Sequence, residues 1–391
     1  MNICTKFRKT LKHTPNLFIH NQLTLGSDLL KKTLLLILFI LAIALLFGCT
    51  QSETTEIGFI GILTGQGSSW GEAAKNGTTL AVEEINANGG VNGKLLSIDF
   101  QDDGGNVTKT VTAFNYLTDI KGINIILGTT WSNNGLPLIK LADEKKVLMV
   151  SPSLGKPEFN EGSEYLFNTW PHDVTLSSAL ADYVYNKGHT QVALIGAEEV
   201  WTKDQTNAFR KRFIELGGTI DILVEPTPEQ TEVGIEATKI KNAKNITAIV
   251  SVTDGVLVGA LVAKKAKELG VELPIYSVTI DADTIKSAQG AYEEMEFLTF
   301  LTPTTEFKEK YEKRFGNIDI GADTAYDAVM LIVQAMKETK STDTTILAEY
   351  LQNVKEYTGA SGHLISDGKG AFTKPFLVKK VVNEIPVDIN A

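Results

Sequence analysis

The stretch Gly61 to Gly71, GILTGQGSSWG, carries two overlapping patterns that could do chemistry. Its GSSWG, Gly67 to Gly71, fits G-x-S-x-G, the turn that presents a hydrolase nucleophile, and would make Ser69 that serine. Its GQGSSW falls one residue short of the dinucleotide fingerprint G-x-G-x-x-G, because Trp70 stands where the third glycine belongs. A third use is to line a ligand cleft, with Trp70 as an aromatic wall.

The surroundings choose among these. A hydrolase serine needs a histidine and an acid, and only His172, His189 and His363 follow Ser69. None falls where a triad histidine belongs, in the loop after the last strand of the serine's own sheet. Trp70 also crowds a turn that needs small neighbours. The pair Asp102-Asp103 is followed by no spaced set of oxygen ligands, so it reads as a strand-end turn rather than a metal loop. Cys4 and Cys49 are the only cysteines, which leaves the body without a disulfide, a cysteine metal site or a cysteine nucleophile. No cofactor is implied. Asn76, Asn106 and Asn245 each open a glycosylation sequon, which matters only in a cell that modifies it.

Charge excludes another class. The first 49 residues hold six basic residues and one acid, leaving 31 basic against 46 acidic residues beyond them. A body this acidic is no nucleic-acid binder, since phosphate neutralisation needs clustered Lys and Arg. A small anion remains possible, held by backbone N–H groups.

Lys31-Lys32 precedes 14 apolar residues, Leu34 to Phe47, and then Gly48-Cys49. Fourteen is short for a membrane span and fits a signal h-region behind a basic n-region. The Gly-Cys end resembles a lipoprotein signal, in which Cys49 becomes the lipidated first residue. An uncleaved anchor helix is the alternative. Either places the body outside the cytoplasm, tethered to a membrane. Residues 1–30 are polar and unpatterned, and 50–55 read as a linker.

Beyond the linker, strands alternate with helices. Ile57 to Leu63 reads as a buried strand, the glycine loop follows, and Glu72 to Asn88 has helical spacing with Ala73, Leu80, Ala81 and Ile85 on one face. The alternation runs to Val150 and restarts after Pro171, which implies two α/β units with parallel sheets and a cleft between them. Ligands in such sheets sit at the carboxyl ends of strands, where GILTGQGSSWG lies.

Several local signatures then agree: AVEEINANGGVNGKLLSIDFQDDGGN (Ala81 to Asn106), GTTWSN (Gly128 to Asn133), VLMVSPS (Val147 to Ser153) and TAYDAV (Thr324 to Val329). Together with the first strand and loop they resemble the leucine/isoleucine/valine-binding family of type I periplasmic binding proteins, over about residues 56–382. The resemblance implies an α/β, two-lobed clamshell, each lobe a mostly parallel sheet flanked by helices, joined by three crossover strands. Lobe one is expected at 56–170 plus 300–358, and lobe two at 171–299 plus 359–391. It also implies a non-enzymatic, monomeric, lipid-anchored solute receptor of an ABC importer, with a membrane permease as partner and an amino acid or related small carboxylate or amide as ligand. A sensor subunit for a membrane receptor is the alternative role.

Carried over position by position, the resemblance makes Trp70 the aromatic lid and Ser132 the binder of the ligand carboxylate. Ser153 and Gly155 would supply a carbonyl for the ligand ammonium and an N–H for its carboxylate. Trp201 would pack on the ligand from the second lobe. Two departures stand out. Gly155 replaces the hydroxyl that amino-acid binders of this type offer the ammonium. The acid expected to pair with that ammonium aligns with Thr279, so Asp281 or Asp254 must substitute, or the ligand lacks an amino group. A buried ammonium without an acid would be costly. Two tryptophans imply a bulkier or flatter ligand than valine.

Overall fold

Short apolar runs closed by glycine or small polar residues become the strands of a first sheet. These are β1 (Thr54–Gly61), β2 (Leu95–Asp102), β3 (Ile125–Gly128), β4 (Leu148–Ser151) and β5 (Leu166–Asn168). All are parallel, in the order β2-β1-β3-β4-β5. Every residue of β3 and β4 is buried, as expected of strands covered on both faces. The computed structural model describes residues 31–34, 54–65, 67–253, 256–300 and 303–389. Cys49, nearly all of the apolar run before it, and Asp254 lie outside the described residues.

One face of this sheet packs on helices Ser68–Ala87 and Ala322–Thr339 through Ala81, Ile85, Ala328 and Ile332. The other face buries Phe114, Leu117, Leu138 and Phe159. The two helices on the first face cross closely. A Cβ at Gly77 would lie 1.9 Å from the carbonyl oxygen of Ala322, so only glycine permits the approach.

The second sheet repeats the scheme with β6 (Gln191–Ile195), β7 (Thr219–Val224), β8 (Ala248–Ser251), β9 (Ile275–Val278) and β10 (Glu296–Phe300). These five are parallel, with β6 between β7 and β8. Helices Asp173–Asn186 and Val200–Glu215 cover one face over Leu180, Val184, Phe209 and Phe213. Ile240 and Val262 fill the other.

The chain passes between the sheets three times: after β5, after β10, and near Lys374. A small antiparallel sheet of β11 (Glu356–Gly359), β12 (Gly362–Ser366) and β13 (Phe372–Thr373) precedes the last passage. The final hairpin, β14 (Phe376–Val382) and β15 (Ile385–Asp388), then joins the second sheet antiparallel to β10.

Two details differ from the expectations. Residues 359–391 do not all join the second lobe, because Leu364 and Phe372 are buried in the first core and only β14 and β15 reach the second sheet. The first helix starts at Ser68 rather than Glu72, after Gly67 in the left-handed region at φ 84°. Trp70 thus rides on its first turn and Ser69 faces solvent.

Gly77→Ala should destabilise the protein by about 1–3 kcal/mol, since the added methyl meets backbone rather than a yielding side chain. Gly234→Ala, where nothing lies within 4 Å, should stay within about 0.5 kcal/mol of the parent. Urea denaturation of the two variants separates a packing role from a general effect of losing glycine.

Candidate functional site

In each sheet one strand has neighbours whose connections leave in opposite directions, and ligands settle in the crevice at that switch point. The first sheet switches between β1 and β3, the second between β6 and β8. The loops leaving these strands, with those after β4 and β9, converge on one cavity of about 220 Å³.

From the first lobe, Trp70, Thr130, Trp131, Ser132, Asn133 and Ser153 line it. The second lobe contributes Glu199, Trp201, Pro228, Glu229, Val256 and Thr279. Trp170 and Asp173, from the first passage between lobes, complete the wall with Ile320. All four tryptophans of the protein therefore face one space. Trp70 and Trp131 meet edge to face, with centroids 6.4 Å apart at 75°.

At its centre is a buried carboxylate. Trp170 Nε1 donates to Asp173 Oδ1 at 2.7 Å, and Trp201 Nε1 donates to Oδ2 at 2.6 Å. The backbone N–H of Asp173 donates to the carbonyl of Gly155 at 3.0 Å. A Cβ at residue 155 would lie 1.7 Å from Asp173 Oδ2, so the carboxylate occupies the space a side chain there would need. Burial pushes the Asp173 carboxyl up to about 6, against the pull of the two indole donors, which favour the charged form.

The lobes also clasp each other beside the cavity. Asn133 Nδ2 donates to Glu199 Oε1 at 3.0 Å, and the Lys156 ammonium lies 2.8 Å from Asp204. A second cavity, of about 350 Å³, shares Trp170, Thr279 and Ile320 with the first. It contains a buried pair, Lys374 and Asp323, 3.4 Å apart.

A family model described as "Periplasmic binding protein" matches residues 54–383. The chain belongs to the periplasmic binding protein family. Among curated relatives, the Leu/Ile/Val-binding protein homolog 3 of Brucella melitensis is 31% identical over 200 residues, which cover 50% of this chain and 54% of the relative. The chain thus spans about half the length of these curated relatives. The fold is that of the leucine binding protein LivK of Thermotoga maritima, with a TM-score of 0.78 at 24% identity, covering 85% of this chain and 97% of that one. A Rhodopseudomonas palustris solute binding protein solved with 3,4-dihydroxybenzoic acid reaches a TM-score of 0.76 at 21% identity, covering 86% and 96%. One clamshell thus accompanies chemically different ligands.

In this periplasmic binding protein, Trp70, Ser132, Ser153, Trp201 and Thr279 come together around the first cavity. Ser132 opens a helix of only four residues, Ser132–Gly135, so it offers a hydroxyl more than a helix terminus. Ser153 Oγ donates to the carbonyl of Thr130 at 3.0 Å. Thr279 has φ 23°, an unusual conformation for a residue with a side chain, at the mouth of β9. Gly155 sits behind Asp173, outside the cavity wall. Asp281 caps helix Ala282–Ser287 by accepting from the Thr284 N–H and does not line the cavity.

Asp173, Trp131, Trp170 and Glu199 were not expected there. Trp131 lay in the GTTWSN signature beside Ser132. Asp173 gave no local signal, since an acid opening a helix is an ordinary feature. Ser69 has Asp319 as its partner, and His172 pairs with Asn160, so neither assembles a triad. Asp102 accepts from the N–H groups of Leu63, Thr64 and Gly104, holding the strand-end turn.

The folded protein keeps the Asp173 proton up to about pH 6, whereas an unfolded aspartate releases it near 3.8. Its protonation therefore favours folding in acid, and that contribution fades as pH rises through about 6. Because both oxygens touch indoles, tryptophan emission should titrate with a midpoint near 6. Asp173→Asn should leave emission flat across that range; a titration unchanged in the variant would assign it to another group.

Proposed function

We propose that this chain is the extracytoplasmic solute receptor of an ABC importer, tethered through Cys49 and handing its ligand to a membrane permease. Its ligand is a small solute with an ammonium group, an amino acid or close analogue, held between the lobes. The observation that carries this reading is the cavity itself: four tryptophans around a buried carboxylate, with walls drawn from both lobes. Family membership and the Leu/Ile/Val-binding relative support the same class.

The roles follow from chemistry. Trp70 and Trp201 bury the apolar part of the solute from opposite lobes. Ser132 donates to its carboxylate; among the described residues its hydroxyl makes no hydrogen bond within the protein. Asp173 supplies the acid that neither Thr279 nor Asp281 provides at the cavity wall, so an ammonium there is charge-matched. A ligand lacking an amino group fits worse, because it would put a carboxylate among carboxylates. Gly155 acts indirectly by leaving room for Asp173, and Ser153 holds the Thr130 loop.

Closure is a hinge rotation about the three passages between lobes, with the clasps Asn133–Glu199 and Lys156–Asp204 made only when the lobes meet. Lobe one then comprises roughly 56–170 and 300–373, and lobe two the remainder. Both halves of the site come from one chain, so a monomer suffices. No catalytic step is involved.

A thermal-shift panel of amino acids, small carboxylates and amides should give stabilisation with the amino acids or their analogues and a change in tryptophan emission. A panel without either response would end the solute-receptor reading. Ser132→Ala should weaken binding of a responding ligand by about 1–3 kcal/mol; unchanged affinity would remove Ser132 from the site.

A further inference from the structure

The groups lining the first cavity divide unevenly by charge. Among the described residues, Asp173, Glu199 and Glu229 are acidic and none is Lys, Arg or His. Lys374 belongs to the second cavity, where Asp323 pairs with it, and Lys156 is paired with Asp204. The first cavity therefore combines an uncompensated negative charge with a wall of tryptophan.

A primary ammonium needs acceptors whose lone pairs point at its three N–H groups. The inner carboxylates are already engaged by the protein. Each oxygen of Asp173 takes an indole N–H. Glu199 Oε1 takes Asn133 Nδ2 at 3.0 Å, and Oε2 takes the Thr202 N–H at 3.0 Å. Thr130 Oγ accepts from the Ile62 N–H. Glu229 is solvent-exposed, at the rim. The site thus offers charge and aromatic surface, with each inner carboxylate oxygen already holding one protein donor and keeping only part of its lone-pair capacity for a ligand.

That combination suits a cation without N–H donors. A trimethylammonium group spreads its charge over methyl carbons and binds the faces of aromatic rings and the field of nearby carboxylates. Resting on the solute-receptor reading above, we propose that the cleft selects an N-methylated zwitterion, a trimethylammonium carboxylate. Its methyl groups lie against Trp70, Trp131 and Trp201, and its carboxylate lies toward Ser132. Trp170 serves differently. Lys374 already sits 5.4 Å from its ring centre and Phe300 meets it edge on, so it acts as a positioning residue that orients Asp173. A cavity of about 220 Å³ holds one such solute. It exceeds the roughly 150 Å³ that accommodates benzene and falls below the roughly 300 Å³ where drug-sized pockets begin.

Calorimetric titration of the full-length protein with glycine, N,N-dimethylglycine, glycine betaine, leucine and 3,3-dimethylbutanoate tests this. The last has the shape of glycine betaine with carbon in place of the charged nitrogen. Affinity should rise with N-methylation, with glycine betaine at least about tenfold tighter than both leucine and the carbon isostere. Trp70→Ala should cost glycine betaine at least about tenfold, whereas Trp70→Phe, which keeps a ring face and guards against misfolding, should cost less. Leucine binding tighter than glycine betaine, or an isostere that binds as well, overturns this inference and leaves the solute-receptor reading standing. A protein that binds none of these, nor any member of the wider panel, overturns both.

Discussion

A carboxylate taken out of water must be met by donors, and at Asp173 that requirement ties the two lobes to the passage between them. The acid sits where the chain first leaves one lobe for the other. One of its oxygens is met by Trp170, just upstream, and the other by Trp201, from the far lobe. The space beside it exists because residue 155, in the first lobe, has no side chain. Two tryptophans, one acid and one glycine, drawn from residues 155 to 201, are thus parts of one arrangement. Removing any donor would leave a buried charge under-solvated, which costs more than the lost bond alone.

That constraint also shapes the ligand's surroundings. An indole whose N–H is spent on a carboxylate presents its ring, rather than its polar edge, to whatever else lies nearby. The cavity consequently has hydrophobic bulk and negative charge at once, with the indoles of Trp170 and Trp201 spent on Asp173. Specificity in such a space comes from shape and charge more than from matched donors and acceptors.

Around this centre the fold supplies position. Parallel strands end at the cleft with their loops converging at the switch points, and rigid helices stand behind those loops. The close crossing at Gly77 fixes helix Ser68–Ala87, and with it Trp70, against helix Ala322–Thr339. The ties Asn133–Glu199 and Lys156–Asp204 join the two lobes beside the cavity.

Much of this was legible in the chain. Alternating strand and helix patterns stated the α/β class and the two units, because hydrophobic periodicity is local and survives without tertiary information. The tryptophan that spoiled two catalytic motifs pointed to a cleft, and GTTWSN drew attention to Ser132. Asp173 was not legible, nor was the reason for Gly155, nor the division of the tail near Lys374. Each depends on how separate elements come together in space, such as Trp201 meeting Asp173 28 positions away, and no spacing along the chain encodes that. The sequence by itself determined the elements and the strand ends at which the cleft lies; only the tertiary structure decided which acid stands in it, because a buried charge is defined by the donors that surround it in space.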